Sequence, residues 1–478
     1  MPILRYKSGH RSIALTFLVL VDNPFWPFWP FWPFWLLWLF LPFLPSLSAQ
    51  TPAPTLPSTR QERLHIFDQV WRTISENYHD EKFNGVDWRA QRQIFRPLAE
   101  QAENRAALYE VMRRMLGTLG DAHTRIFSPE ESFDRHQPSG ISVGLLVRPI
   151  EGQPTVTWVE PGSAAALAGI RPGYRILAVD GQPTGLVLER LRREIGASST
   201  SLALELQSYD RLFQSGPSGH VSIVYADDKH ASHQVTLQRK LVEFRRRVTA
   251  RQLAHRIGYI EITGFAPEIE NDFDLAMEEL QNTRGLILDL RNNGGGFVNT
   301  VLQIASYFFQ EQTDLGEFIT RDRRVTKRYT GVVRQLYRAP VIVLVSARSA
   351  SGAEILAAAM QEYQRAFVVG VHASTCGCLL GVSQTIRLSD GGRLNVSDTD
   401  FRTSKGRRIE GLGIRPDKVV PLKAVDLLRE IDQPLLLTTD YLERQIVFGN
   451  RHAKMDFSIK LPREIQIEGI NQSDLRER

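Results

Sequence analysis

The chain has 478 residues, of which 42% are hydrophobic and 23% charged, which is globular material for two to four domains. Its formal net charge is +5, with basic runs at 245–247 and 321–328 that no nucleic-acid-binding motif accompanies. We therefore expect solvated faces or peptide-binding edges there and no nucleic-acid partner. Two cysteines are too few for a structural zinc site, so no metal is predicted.

The amino-terminal segment, residues 1–49, has the organisation of an export signal. A basic start is followed by an apolar stretch, a Phe-Trp-Pro repeat at 24–35 and small residues at Ser46, Ser48 and Ala49. This order predicts a signal peptide cleaved near Ser48 or Ala49. An uncleaved membrane anchor and a misassigned start codon remain alternatives. The mature protein is expected in the periplasm, or membrane-anchored and facing the periplasmic or extracellular side.

Helical patterning begins after a linker. Residues 50–60 are rich in Pro, Ser and Thr, as linkers are. In residues 61–136, apolar side chains recur every three or four positions, which predicts a small helical subdomain. This region ends in a turn that carries His123.

Residues 137–243 show β-type alternation with one short predicted helix, and they contain a glycine-punctuated motif. The run EPGSAAALAGIRPGYRILAVDG at 160–181 resembles the PDZ-domain pattern, with Tyr174 in place of the usual Asp. The resemblance implies a domain that adds a peptide as an extra strand and holds its C-terminal carboxylate with loop amides. The expected loop residues are Gly140, Ile141, Ser142 and Val143. A purely structural spacer is the alternative. Gln214–Gly219 looks like an inserted loop.

In residues 244–425, strands alternate with helices, which predicts the α/β fold class: a sheet flanked by helices. Ligands of such sheets lie beyond the carboxyl ends of the strands, where the turns at 294–296 and at Ser351 fall. Residues 426–478 are a C-terminal extension.

Ser351 is the candidate nucleophile. It stands between an aliphatic strand, 341–345, and a helix-forming stretch, 354–363, so nearby backbone amides would lie at a helix N-terminus that favours negative charge. A simple helix N-cap is the alternative interpretation. Ser349 is a competing nucleophile.

Three segments, LGDAHT (119–124), DLRNNGGG (289–296) and SASGAE (349–354), together resemble the tail-specific or C-terminal processing peptidases, tricorn-like serine peptidases with a PDZ domain. The resemblance extends from Arg63 to Pro421. It implies Ser351 as the nucleophile and an oxyanion hole built from Gly352 and either Gly295 or Gly296. It implies no cofactor, and substrates that are proteins or peptides with exposed C-termini.

The general base differs from that of many family members. Those members use a lysine about 25 positions after the serine, where this chain has Cys376, and no lysine occurs between Ser351 and Lys405. Tricorn-like members use histidine and glutamate, which match His123 and Glu410. The resemblance thus implies a Ser-His-Glu triad that hydrolyses peptide bonds through an acyl-enzyme. The alternative is an inactive peptide- or hydrophobic-ligand-binding protein, with His123 closing a turn and Glu410 on the surface.

Cys376 and Cys378 lie in the loop that replaces the lysine segment. In an oxidising compartment they could form a disulfide or a redox-sensitive staple. A cysteine nucleophile is a third interpretation.

Overall fold

The computed structural model of the protein describes residues 59–131, 139–214, 219–332 and 335–448. The predicted signal or anchor segment, 1–49, lies outside the described residues, as do most of the linker and the end of the C-terminal extension. Within the described residues, no helix is both long and apolar enough to cross a membrane.

Helices and strands follow in chain order. The α-helices are α1 (Arg60–Asn77), α2 (Trp88–Glu100), α3 (Arg105–Gly117), α4 (Ala164–Leu167), α5 (Thr184–Ile195), α6 (Ser201–Asp210), α7 (Glu270–Leu280), α8 (Val298–Ala305), α9 (Gly352–Glu362), α10 (Ala424–Leu428) and α11 (Gln433–Phe448). The first strands are β1 (Arg125–Phe127), β2 (Ser139–Ser142), β3 (Leu145–Ile150), β4 (Gln153–Val159), β5 (Arg175–Val179), β6 (Gln182–Pro183), β7 (His220–Ala226), β8 (Ser232–Gln238), β9 (Lys240–Glu243) and β10 (Val248–Leu253). The remaining strands are β11 (Ile257–Ile262), β12 (Gly285–Asp289), β13 (Asp314–Thr320), β14 (Val325–Tyr329), β15 (Val341–Val345), β16 (Ala366–Gly370), β17 (Leu380–Gly381), β18 (Thr385–Arg387), β19 (Arg393–Asn395), β20 (Thr399–Arg402) and β21 (Lys418–Val419).

The 244–425 region contains a six-stranded sheet in the order β10-β11-β12-β15-β16-β21. Its strands are parallel except β10, which is antiparallel to β11. Alternate residues enter different layers: Leu288 packs with α7, α8 and α9, whereas Ile287 packs with Leu442 of α11. Because helices cover both faces, β12 and β15 are buried at every position. The predicted α/β class is confirmed.

The 137–243 region forms a separate sheet along the path β3-β4-β5-β7-β8, with β6 paired to β5. We predicted one short helix here, but the structure has three. The additional helix α6 packs against α5 and the edge strand β3, and Tyr209, Leu212 and Phe213 join this region's core. These apolar residues lie in and just after α6, before the predicted inserted loop. Their burial explains why α6 packs on this region.

The segment predicted to hold a peptide carboxylate is not an open loop. Gly140, Ile141 and Ser142 belong to β2, which pairs antiparallel with β9, and Val143 is buried in the core of the region. We expected loop amides here, and the structure instead has a two-stranded ribbon at the start of the region.

The helices α1–α3 do not form a core by themselves. A capping box between Thr59 and Glu62 starts α1, and its apolar face packs on the neighbouring helices. The same core contains Ile126 of β1 and Leu394 of β19, which belong to the three-stranded sheet β1-β19-β18. The helices therefore share their core with residues 385–396, and this shared core holds the His123 turn next to the six-stranded sheet.

Candidate active site

The turn between β15 and α9 presents Ser351 in an unusual backbone conformation. Its φ is 53° and its ψ is −116°, a backbone region that residues other than glycine rarely occupy. Such a sharp strand-to-helix turn is how α/β hydrolases expose a nucleophilic serine. Ser349 is fully buried, and its hydroxyl donates to the Leu290 carbonyl at 2.7 Å and accepts from the Ser346 amide at 2.9 Å. Of the two serines, only Ser351 lines the cleft described below.

The glycine turn after β12 packs directly against Ser351. A Cβ on Gly295 would lie 2.6 Å from the Ser351 Cβ, and one on Gly296 would lie 1.9 Å from the Phe265 carbonyl oxygen. Both positions therefore require glycine. The Gly295 amide donates to Asn293 Oδ1 at 2.8 Å, so it is not available to a substrate. The Gly296 and Gly352 amides donate to no acceptor within the described residues.

Ser351 and His123 line one cleft of about 790 Å³. His123 is half-buried in a turn that is fixed by the buried carboxylate of Asp121. Asp121 Oδ1 accepts from the His123 amide at 2.7 Å, and its other oxygen accepts from the Thr124 hydroxyl. This local hydrogen bonding is typical of Asx turns, and it sets the direction in which the chain leaves α3.

Glu410 lies beneath the cleft rather than in its wall. It is 5% exposed, and its Oε2 accepts from the Leu379 amide at 2.6 Å. Burial raises the pKa of Glu410 to about 8; the nearby Ser199 hydroxyl lowers that pKa and the Asp121 carboxylate raises it. The Ser199 hydroxyl also accepts from the Ala122 amide at 3.0 Å. Ser199 therefore lies between Glu410 and the residue that precedes His123, a position the sequence did not indicate.

Glu354 is a site residue that we interpreted only as part of a helix. It is fully buried, and its carboxylate accepts from the amides of Ser351 (3.0 Å), Gly377 (2.8 Å) and Cys378 (3.1 Å) and from the Thr375 hydroxyl. Burial raises the pKa of Glu354 to about 7, and these hydrogen bonds oppose the rise. The signal available in the sequence was its place three residues after Ser351, the capping-box position.

The loop 375–379 holds the Ser351 turn from the other side. A disulfide joins Cys376 and Cys378, the Cys378 carbonyl accepts from the Ser351 amide at 3.0 Å, and Thr200 donates to the Cys376 carbonyl at 2.8 Å. Because both cysteines of the chain are in this disulfide, a cysteine nucleophile is excluded in this oxidised form.

Lys405, the first lysine after Ser351, does not line the cleft. Its Nζ donates to the Glu362 carbonyl at 2.8 Å, at the far end of α9 from Ser351. In the described parts of the chain, no group of three or more His, Cys, Asp or Glu side chains is placed to hold a metal ion.

Comparison with known proteins gives the family. The carboxyl-terminal-processing protease of Synechocystis sp. is 30% identical over 379 residues, which cover 76% of this chain and 81% of that protein. The chain belongs to the carboxyl-terminal-processing proteases. It is a serine-type peptidase. The description "Peptidase family S41" matches residues 256–420, "Tricorn protease C1 domain" matches 59–117 and "PDZ domain" matches 155–208.

Two further relatives of this carboxyl-terminal-processing protease agree. Carboxyl-terminal-processing peptidase 1, chloroplastic, of Arabidopsis thaliana is 28% identical and covers 74% of this chain and 71% of its own. The solved structure of the photosystem II D1 C-terminal processing protease is 26% identical, with a TM-score of 0.52, and covers 76% of this chain and 93% of its own. The family, the PDZ domain and the α/β fold expected from the sequence are confirmed.

Proposed function

We propose that this peptidase is an exported serine endopeptidase whose catalytic groups are Ser351, His123 and Glu410. The observation that carries the proposal is the strained Ser351 turn, which opens onto the same cleft as His123. The position of Lys405 supports histidine over lysine as the base.

In this mechanism His123 accepts the Ser351 proton as the hydroxyl oxygen attacks the scissile carbonyl. The amides of Gly296 and Gly352 stabilise the oxyanion, an effect typically worth about 3 kcal/mol of barrier per donor. His123 then protonates the leaving amine, and water hydrolyses the acyl-enzyme. The ionised Glu410 carboxylate stabilises the imidazolium from beneath the cleft.

Labelling with a fluorophosphonate probe tests the nucleophile. Residues 50–478 should be labelled, and Ser351→Ala should abolish labelling. Ser383→Ala is the matched control, because Ser383 lines the same cleft and should leave labelling intact. Labelling that survives in Ser351→Ala would refute the assignment.

The base and its carboxylate are tested separately. His123→Ala and Glu410→Gln should each lower kcat by at least about a hundredfold, the usual contribution of a general base, while circular dichroism stays unchanged. Full activity of His123→Ala would require another base.

We also propose that the PDZ domain captures substrate C-termini along the edge of β3. Since α6 packs on β3, a captured peptide would have to displace it. A peptide with a free C-terminus should therefore increase hydrogen exchange in α6, and the same peptide with an amidated C-terminus should not. Binding that leaves α6 protection unchanged would place the peptide elsewhere.

The sequence of segment 1–49 supports the proposed export, and the Cys376–Cys378 disulfide supports it too, because disulfides persist in oxidising compartments. Mass spectrometry of the protein recovered from a periplasmic or extracellular fraction should find a new amino terminus near Ser48 or Ala49. Recovery of only full-length protein from the membrane fraction would indicate an uncleaved anchor.

A further inference from the structure

The catalytic cleft has an excess of positive charge. Its lining includes one carboxylate among the described residues, Asp210, and these four arginines: Arg125, Arg246, Arg328 and Arg348. Arg246 lies 3.6 Å from Glu268, outside the lining. Asp210 is therefore the lining carboxylate that can offset the charge of the lining arginines, and its contacts show how much of that charge is left.

Three guanidinium groups surround the single Asp210 carboxylate. Arg148 Nη2 and Arg348 Nη1 both donate to its Oδ1, at 2.7 and 3.0 Å. Arg148 is buried, with a side chain that is 9% exposed, whereas those of Arg348 and Asp210 are 34% and 45% exposed. The third, Arg125, faces Asp210, and its Nε donates to the Ala122 carbonyl at 2.7 Å. Its terminal nitrogens have no partner within the described residues.

The like charges are close enough to affect one another. Burial, and after it the charge of Arg348, lowers the pKa of Arg148 to about 10. Burial lowers the pKa of Arg211, the residue after Asp210, and the charges of Arg125 and Arg113 lower it further. Asp121 also attracts Arg125, but its oxygens are hydrogen-bonded to His123 and Thr124. The single negative charge of Asp210 therefore cannot balance the positive charges of Arg125, Arg148 and Arg348, and this wall of the cleft keeps a net positive charge.

We propose that Arg348, held by Asp210, and Arg125, held by the Ala122 carbonyl, form a subsite of the cleft that binds a carboxylate of the substrate. Arg348 is three residues before Ser351, so their Cα atoms lie within about 11 Å of each other, and both side chains line the same cleft. This inference rests on the proposed peptidase activity of the cleft. Planar guanidinium groups bind carboxylates through paired, charge-assisted hydrogen bonds, which gives a preference over neutral amides of the same shape.

The carboxylate can come from an acidic side chain or from the C-terminus of the substrate. Four internally quenched peptides of one sequence separate the sources: Glu or Gln three residues from the scissile bond, each as a free acid or a C-terminal amide. We expect the wild type to prefer the carboxylate-bearing peptides by about tenfold in kcat/KM, the ratio that one charge-assisted hydrogen bond supplies. Dependence on Glu identifies a side chain, and dependence on the free acid identifies the C-terminus.

Variants assign the preference to residues. In Arg348→Gln and Arg125→Gln the ratio should fall below about threefold, a loss expected when a bidentate partner is removed. Arg113→Gln removes the same charge nearby, outside the cleft lining, and should keep the ratio. Equal use of all peptides by the wild type, or a preference that persists in both variants, would overturn the subsite.

A second measurement keeps this result independent of catalysis. Affinities of Ser351→Ala for the same four peptides, measured by fluorescence anisotropy, should show the same order. If the wild type cleaves nothing but the affinities follow the carboxylate and Arg348, the proposed function fails and the subsite stands. If all four peptides are cleaved equally well, the subsite fails and the proposed function stands.

Discussion

Ser351 combines a reactive position with a costly backbone conformation. Its positive φ is maintained because the Ser351 amide is held by Glu354 and by the Cys378 carbonyl, while Gly295 packs against its side chain. A residue held in such a region typically costs about 1–3 kcal/mol. The surrounding contacts therefore fix a hydroxyl direction that the residue alone would not adopt.

Replacing Ser351 by glycine should separate stability from activity. Ser351→Gly removes the strained side chain, so the free energy of unfolding should rise by about 1 kcal/mol while hydrolysis is lost. Denaturant unfolding gives the first quantity and a peptide assay the second. Ser349→Ala is the comparison, because the buried hydroxyl makes two hydrogen bonds and its loss should destabilise by about 2 kcal/mol. A less stable Ser351→Gly would argue against strain.

Glu410 should give the enzyme a dependence on pH. With its pKa raised to about 8 by burial, the carboxylate that the proposed mechanism requires ionises only as the pH approaches 8. We predict that kcat/KM rises up to that pH and that Glu410→Gln, besides being slow, lacks this rise. Initial rates from pH 6 to 9 measure it, and the exposed Glu189→Gln should retain the wild-type profile.

The same shift has a consequence for stability. A carboxyl whose pKa is higher in the folded than in the unfolded state binds more protons when folded, so stability falls as the pH rises from about 4.5 to about 8. Glu410→Gln should weaken this fall in stability. The part that remains should come from Glu354, whose pKa is also raised by burial. An unchanged pH dependence of the melting temperature would contradict the assignment.

At the scale of elements, the loop 375–379 connects three residues of the site, Ser351, Glu354 and Glu410. Its backbone bonds Ser351, Glu354 and Glu410 and is held from outside by Thr200. The Cys376–Cys378 disulfide closes the loop at its centre. The loop therefore positions Ser351, Glu354 and Glu410 through its backbone.

Reducing the disulfide should therefore slow the enzyme without unfolding it. Freed of the cross-link, the loop can shift the amides that fix Ser351 and Glu410, and displacements of about 1 Å can cost up to a hundredfold in rate. We predict at least about a tenfold fall in kcat in reductant, with unchanged circular dichroism. The double variant Cys376→Ser, Cys378→Ser should be equally slow with or without reductant. A reduced wild type with full activity would show that the cross-link is dispensable.

Elements with strong local patterns could be predicted, and those defined by distant partners could not. Strands β12 and β15 are continuous apolar runs, and Ser351 follows one of them. By contrast, α6 is held by packing on β3, and Gly295 was separable from Gly296 only through the bond to Asn293. Glu354 resembled an ordinary helix residue, because its four partners come from the turn and from a loop more than 20 residues away.

At the scale of the whole molecule, the site is assembled from parts of the chain that are far apart. His123 follows the helices α1–α3, Ser351 follows strand β15 of the six-stranded sheet, and Ser199 and Asp210 belong to the PDZ region. The core that α1–α3 share with β1 and β19 fixes the first of these relative to the second. The geometry of the cleft therefore depends on a hydrophobic core that lies outside the cleft.

This shared core predicts that a substitution of Leu394, which is fully buried in β19, affects the helices α1–α3. Leu394→Ala leaves a cavity among the helices, so it should destabilise α1–α3 by about 2–5 kcal/mol, although residue 394 lies far from them in sequence. Hydrogen exchange in residues 60–117 should accelerate, and kcat should fall because the His123 turn follows these helices. Leu275→Ala is the control, since Leu275 is 64% exposed on α7 and should change neither. Unaltered exchange in α1–α3 would mean that the helical unit is stable alone, and His123 would then be positioned by its own turn.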